Sequence, residues 1–453
     1  MLFAPAKPLL RRFLDHDVLS GAVIVGVVTL GVKGVAFLKE LVVAHRFGTS
    51  DEVDAYVVAM LIPSIVALSV GNAFRDAFVP VYAEERLKKP MEAERLVSDT
   101  VRICFVLLLV LTAGAVIFSE SIIDWVATGF SPEKTALCVK FFRMVSLYTI
   151  CVGVGIVLRG YLQTHRRFFV SAAASALIPG TIIAVLLAPG QASGTRLALA
   201  TSLGAAALFI VLLSACYRLH RGLRCGRLRR ERPASTVGRV LLPQIPPLFA
   251  GALVMESYLF VDTLMVSVLP PGSVAVLTYG ERVCGVVCLV GAAIAQALFP
   301  HISGLAAKRD WASFRATTGR LGTLIVVLSA PIVAIFWFAA EPLVRIVFQR
   351  GEFSPEDTRQ VAEVLRFAGF QVPGSILLAL NARAVMALRD GGFIVVSAGL
   401  GLGLNVGLNL LFIDWYGVKG VALSTALVSL FSAALLFGRA EILLRRLNRD
   451  TEN

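Results

Sequence analysis

KGVAFLKELVVAHRFGTSDEVDAYVVAMLIPS (33–64) holds two apolar stretches joined by a short polar turn, with Lys33, Lys39 and Glu40 set inside the first. The apolar runs extend over about 18–46 and 52–82, each enough for the roughly 20 residues that cross a hydrocarbon core. An isolated charge at the centre of such a span costs about 2.5–3.5 kcal/mol even on lenient insertion scales, so it normally faces a protein-lined, watered cavity. Glu256, Asp262, Glu281 and Arg282 interrupt later apolar runs in the same way. Charges of both signs inside spans predict a polar chamber between helical bundles, built to hold something charged.

Working outward, 57% of the 453 residues are hydrophobic and only 16% charged, with mean hydropathy +0.80, far above the soluble-domain balance. Further apolar runs lie near 99–120, 136–158, 168–188, 195–216, 240–268, 274–300, 319–340, 359–385, 392–413 and 417–438, so the expectation is an all-α polytopic membrane protein of about 12 spans. Pro63 and Pro80 predict a kink or a watery extension in the second. Lys7, Arg11 and Arg12 precede an apolar stretch too long for a cleaved leader. The +13 charge is dispersed in short segments between spans. One side of the membrane carries 28 Lys and Arg against 7 on the other, which places both termini in the cytoplasm. The most basic stretch, 217–239 (YRLHRGLRCGRLRRERPASTVGR), reads as a linker at the anionic leaflet and not as a nucleic-acid site. The seven cysteines read as small core residues with no metal-site spacing.

The chain repeats itself. AFRDAFVPVYAEERLKK (73–89) pairs with AIAQALFPHISGLAAKRD (293–310), setting Pro80 over Pro300; LALATSL (197–203) pairs with VALSTAL (421–427), Arg143 with Arg366, and Arg166 with Arg389. Six spans per copy predicts two bundles of equal orientation, 1–216 and 240–453, related by an axis along the membrane normal.

The quoted stretch, with NAFRDAFVPVYAEE (72–85), YGERV…ALFPHISGLAAKRD (279–310) and EPLVRIVFQRGEFSPEDT (341–358), resembles the MurJ/MviN lipid II flippases of the multidrug/oligosaccharidyl-lipid/polysaccharide (MOP) exporter superfamily. The resemblance implies a V-shaped, two-bundle, alternating-access carrier of the bacterial cytoplasmic membrane. It would move an undecaprenyl-pyrophosphate-linked saccharide from the inner to the outer leaflet. Substrate-binding positions carried over are Lys33, Lys39 and Arg282, with Glu40, Asp54 and Glu281 as acidic neighbours. A pyrophosphate in a low-dielectric cavity needs cations of this kind. Two departures stand out. The first-span arginines of the family are lysines here, and its arginine pair in the second span falls near Ala67–Leu68, with Arg75 as a candidate replacement.

The resemblance also implies a sodium site from Asp262, Asn405, Asn409, Thr425 and the Val421 carbonyl, Asn409 standing where the family has an acidic ligand. Oxygen donors suit a hard cation; the alternative is polar glue between helices. No other cofactor is expected. Arg75 and Asp76 read as a gate or as a helix-end pair, and Glu256 as a proton-coupling group or a partner of a cavity cation. Arg159, His165, Arg166, Arg167, Arg383 and Arg389 read as orientation charges, with attraction of an anionic head group as the alternative. The expected partners are the lipid-linked saccharide, membrane lipids and other envelope-biosynthesis proteins, with no nucleic acid. The chain ends after its twelfth span, without the two further helices such flippases usually carry, which suggests an exopolysaccharide or O-antigen precursor as an alternative cargo. Drug/cation antiport, a membrane glycosyltransferase or polymerase, and a scaffold are the competing readings. The first usually takes cations, the second needs a substantial catalytic loop, and the third needs no charges inside the spans. No Walker-type loop is present.

Overall fold

The computed structural model describes residues 16–88, 90–223 and 240–452, and these are helical without a single strand. In chain order the helices are α1 (His16–Phe47), α2 (Asp51–Lys88), α3 (Pro90–Ile117), α4 (Ser119–Val126), α5 (Pro132–Thr164), α6 (Phe168–Ala173), α7 (Leu177–Leu187) and α8 (Gly194–Leu223). They continue as α9 (Ile245–Val266), α10 (Ser273–Ala307), α11 (Trp311–Phe338), α12 (Ala340–Phe348), α13 (Pro355–Ala368), α14 (Gln371–Ala387), α15 (Gly391–Tyr416) and α16 (Val418–Glu452). Helices dominate because hydrocarbon offers no partner for backbone N–H and C=O groups, which must bond within their own segment.

Among the described residues ten helical spans are long and apolar enough to cross a membrane, and the pair α13–α14, bent by 42°, makes eleven. The 32-residue α1, which carries Lys33, Lys39 and Glu40, is not among them, so the described residues give ten or eleven such spans where about 12 were expected. The large apolar side chains left on the surface, such as Val326, Val327, Leu328 and Phe338 of α11, are the faces that hydrocarbon covers. Pro63 and Pro80 both lie inside the uninterrupted α2. The interruption that the sequence did not signal is in the fifth span, where a 3₁₀ turn, Ala174–Ala176, separates α6 from α7. The helix α8 runs to Leu223, into the stretch expected to be linker; residues 224–239, like 1–15 with Lys7, Arg11 and Arg12, lie outside the described residues.

The chain condenses into two compact units that cut across the sequence halves. Unit 1 takes its described residues from Met1–Val42, Ile62–Ser119 and Val139–Ala252; unit 2 takes them from Val43–Leu61, Glu120–Cys138 and Leu253–Asn453. The difference from a division at 216/240 arises because the turns around 48 and 130 make their contacts with the C-terminal half. The core of unit 1 gathers Phe74, Phe78, Tyr82, Leu108, Tyr161 and Leu162. Helices in lipid associate through close van der Waals packing rather than water exclusion, so small residues sit where backbones meet. A Cβ at Gly71 would stand 2.8 Å from the Gly153 carbonyl oxygen. In unit 2 one core cluster joins Ile302, Phe314, Leu380, Ala384 and Leu444. The described cysteines are free, all but Cys288 fully buried.

The internal repeat has a local structural counterpart. Thr201 and Thr425, equivalent by sequence, each donate to the carbonyl four residues back, Leu197 at 2.9 Å and Val421 at 3.2 Å. Arg166 and Arg389 both adopt the left-handed conformation, at φ 57° and 62°, and Arg309 does the same at 56°. Each closes its helix with the same pair of bonds: Arg166 N to Gln163 O with Arg167 N to Leu162 O, Arg309 N to Ala306 O with Asp310 N to Leu305 O, and Arg389 N to Met386 O with Asp390 N to Val385 O. This is the termination normally given to glycine, and an L-residue there costs about 1–2 kcal/mol. Arg389→Gly is therefore expected to raise stability by about 1 kcal/mol, read as an upward shift in Tm of the detergent-purified chain; a lower Tm would show the side chain contributing more than the backbone costs.

Candidate functional site

The ionisable residues singled out from the sequence inside the spans lie on α1, α2, α9 and α10. On α1, in unit 1, Lys39 donates from Nζ to Glu40 Oε1 at 2.7 Å; Glu40 is buried, Lys39 half-buried and Lys33 exposed. Adjacent helical residues point about 100° apart, and the flexible lysine stem bridges that angle. On α2, Arg75 Nε donates to Asp76 Oδ1 at 2.8 Å, so both sequence alternatives for this pair keep it together. On α10, in unit 2, Glu281 lies within electrostatic reach of Arg282 and of Asp262. Glu256 is half-buried on α9.

Asp262 on α9 is the centre of the second arrangement, with Asn405 and Asn409 of α15 and Thr425 of α16, all in unit 2. Asn405 Nδ2 and Asn409 Nδ2 donate to Asp262 Oδ1 at 3.1 and 2.7 Å, and Thr425 Oγ1 donates to Oδ2 at 2.8 Å. Thr425 also donates to the Val421 carbonyl, closing the set predicted from the sequence. The i, i+4 spacing of the asparagines puts both on one face of α15, and both are fully buried, with Asp262 only 2% exposed. Asn409 Oδ1 is buried with no hydrogen-bond partner. An orphaned amide oxygen beside a carboxylate, a hydroxyl and a carbonyl is a donor set that fits a hard cation.

Asp54 has a different setting from the substrate-facing one the resemblance implied. In unit 2 its carboxylate, 1% exposed, accepts from Lys134 Nζ at 2.7 Å and from the backbone N–H groups of Gly272 and Ala275 at 2.7 and 2.8 Å. The last two are the first free donors of α10, whose N-cap Gly272 has φ +86° and no side chain to offer. A carboxylate there meets both unsatisfied amides and the positive end of the helix dipole. Lys134 is itself buried, bridges to Asp51 at 2.6 Å and lies 4.2 Å from the centroid of the Phe130 ring. Nearby, Thr49 donates to Asp357, Tyr279 Oη to the Gly48 carbonyl at 3.1 Å, and Glu352 N to the His45 carbonyl at 3.0 Å. The stretch EPLVRIVFQRGEFSPEDT thus has a physical role: Ser354 and Asp357 form the capping box of α13, and Asp357 also receives Thr49.

Sequence reasoning missed Lys134, which stood only among the seven cations of the sparsely charged side. It also missed a cluster in unit 1. There Tyr82 and Tyr161 donate to the two oxygens of Glu94 at 2.8 and 2.9 Å, and His165 Nε2 lies 3.3 Å from Tyr82 Oη. Burial holds the His165 imidazole below its ordinary range, so it belongs to this network and not to the orientation charges.

Helical spans with ionisable side chains held inside them, and no strand among the described residues, define a polytopic membrane protein. Its fold is that of the MOP superfamily: a solved lipid II flippase MurJ in an inward closed conformation aligns over 92% of this chain and 87% of its own at TM-score 0.80 and 20% identity. A multidrug resistance MATE family transporter, inward-facing, aligns over 93% and 99% at TM-score 0.77 and 14% identity. The model of the lipid II flippase MurJ family matches residues 43–447, and the chain belongs to that family. Curated relatives include a probable lipid II flippase MurJ of Rhizobium meliloti, 28% identical over 91% of this chain and 78% of its own. The lipid II flippase MurJ of Burkholderia cenocepacia is 27% identical over 90% and 80%. The chain is accordingly a transporter and not an enzyme, a multi-pass protein of the bacterial inner membrane.

Removing one member of a buried ion pair leaves the other uncompensated, at about 3–5 kcal/mol. Lys134→Ala is expected to lower the Tm of the purified chain accordingly, and Asp54→Asn combined with Lys134→Met to recover most of the loss; equal Tm for wild type and Lys134→Ala would show the pair to be dispensable.

Proposed function

We propose that the chain moves lipid II, an undecaprenyl-diphosphate-linked saccharide, from the inner to the outer leaflet by alternating access, with both termini in the cytoplasm. The observation that carries this reading is the family match across residues 43–447. The relatives named above bear the lipid II description, which favours that cargo over an exopolysaccharide or O-antigen unit. Lys33, Lys39 and Arg282 receive the diphosphate, Arg282 through a two-pronged contact and the lysines as point charges. Glu40 orients Lys39 and tempers its charge, so the head group is held without being trapped. The MATE-like fold is shared with multidrug transporters, but an excess of cations at these positions favours an anionic cargo.

Sodium is the proposed coupling ion. Asp262, Asn405, Asn409, Thr425 and the Val421 carbonyl would hold it. The bound cation would neutralise a carboxylate that otherwise rests on neutral donors alone. The donor set, with Asn409 Oδ1 lacking a partner, supports this.

In proteoliposomes carrying fluorescent lipid II, Lys39→Ala and Arg282→Ala are expected to slow flipping at least about tenfold with normal insertion, the loss of one charge-assisted contact. Wild-type rates in both would remove the assignment. In the same assay Asp262→Asn is expected to abolish acceleration by a sodium gradient; an unchanged response would eliminate sodium at this site.

A further inference from the structure

In unit 1, Arg75, which the sequence offered as a cargo contact, lies against the helix that carries Arg159, a residue the transport reading does not use. Arg159, on α5 five residues before its end at Thr164, lies about 7–8 Å inside the helix along its axis. Its Nη1 donates to Ser175 Oγ at 2.9 Å, and Tyr148 and Arg75 are its other electrostatic neighbours. Among the described residues no carboxylate accompanies it. Arg75 lays its stem over the next residue, Gly160, where an added Cβ would stand 2.9 Å from Arg75 Cγ. Asp76 engages only Arg75 Nε, leaving both Nη nitrogens outside that bond. The place therefore holds two cations against one carboxylate.

Like charges that neighbour one another inside a helical layer repel, and more strongly where water is excluded. A fold that keeps such a pair together is prepared for an anion between them. The partner of Arg159 is equally telling, for Ser175 is the middle residue of the 3₁₀ turn that breaks the fifth span. Irregular backbone at membrane depth is tolerated where it lines a polar site, and a 3₁₀ interruption within a helix often marks a functional hinge. Planar guanidinium forks match the oxygens of a phosphate ester.

We propose that Arg75 and Arg159, with Ser175, form a phosphate-binding station in unit 1 for the head group of a membrane lipid. The inference does not rest on the transport reading, because the phosphate of a resident phospholipid and the diphosphate of a lipid-linked cargo present the same chemistry.

Hydrogen exchange on the full chain in a phosphate-free maltoside detergent tests it, with inorganic pyrophosphate as the probe. Exchange over residues 171–178 is expected to slow at least several-fold on adding pyrophosphate in the wild type and in Lys39→Ala. In Arg159→Gln that slowing is lost, and in Arg159→Lys it is reduced. The exchange pattern of the remaining helices reports whether each variant is folded, and Arg75→Gln provides a second route to the same loss. Equal slowing in wild type, Arg159→Gln and Arg75→Gln, or none in the wild type, overturns the proposal. Nanodiscs containing phosphatidylglycerol, or loaded with undecaprenyl diphosphate, then separate the sources: protection by the first identifies a resident lipid, and protection by the second alone identifies the cargo. Because Lys39→Ala tests the transport site in a flipping assay, failure of either idea is visible without the other.

Discussion

A charge inside hydrocarbon must be met by another charge, a dipole or water, and this constraint shapes both units. Asp54 shows the fullest solution. Its carboxylate takes an ammonium from Lys134 and two amides from the start of α10. One side chain thereby fixes the turn near 48, the segment around 130 and the first turn of α10 in register. Gly272 is necessary to this contact, since its left-handed φ and the Thr49 carbonyl 2.8 Å from any added Cβ leave room only for hydrogen.

Asp262 meets the same constraint with neutral groups. Three donors surround its two oxygens, and no ammonium or guanidinium is among them. The hydrogen bonds to Asp262 come from neutral groups, whereas Asp54 also accepts from an ammonium. That contrast rests on partner type rather than depth, for both acids are almost wholly buried. In unit 1 the imbalance has the opposite sign, with Arg75 among the electrostatic neighbours of Arg159 and Asp76 pairing with Arg75.

Much of this was legible beforehand. Apolar run length marks the spans because the bilayer thickness sets it, and the i, i+4 asparagines of α15 announced a polar face. The repeat paired Arg166 with Arg389, and the two residues share one left-handed conformation. Lys134 was invisible as anything but an outlying cation, since its partner is 80 residues away in sequence. The 3₁₀ turn at Ala174–Ala176 was invisible too, because small apolar residues there carry no helix-breaking signal.

The sequence by itself determined the helical class, the approximate number of spans and which side chains had to find shelter from lipid, because hydropathy and backbone hydrogen bonding act locally along the chain. Only the tertiary structure decided who shelters whom: Lys134 with Asp54, two asparagines and a threonine with Asp262, and Arg159 with a serine in a broken helix. Those pairings depend on how separate helices are rotated and stacked, and rotation about a helix axis leaves no trace in the linear order of residues.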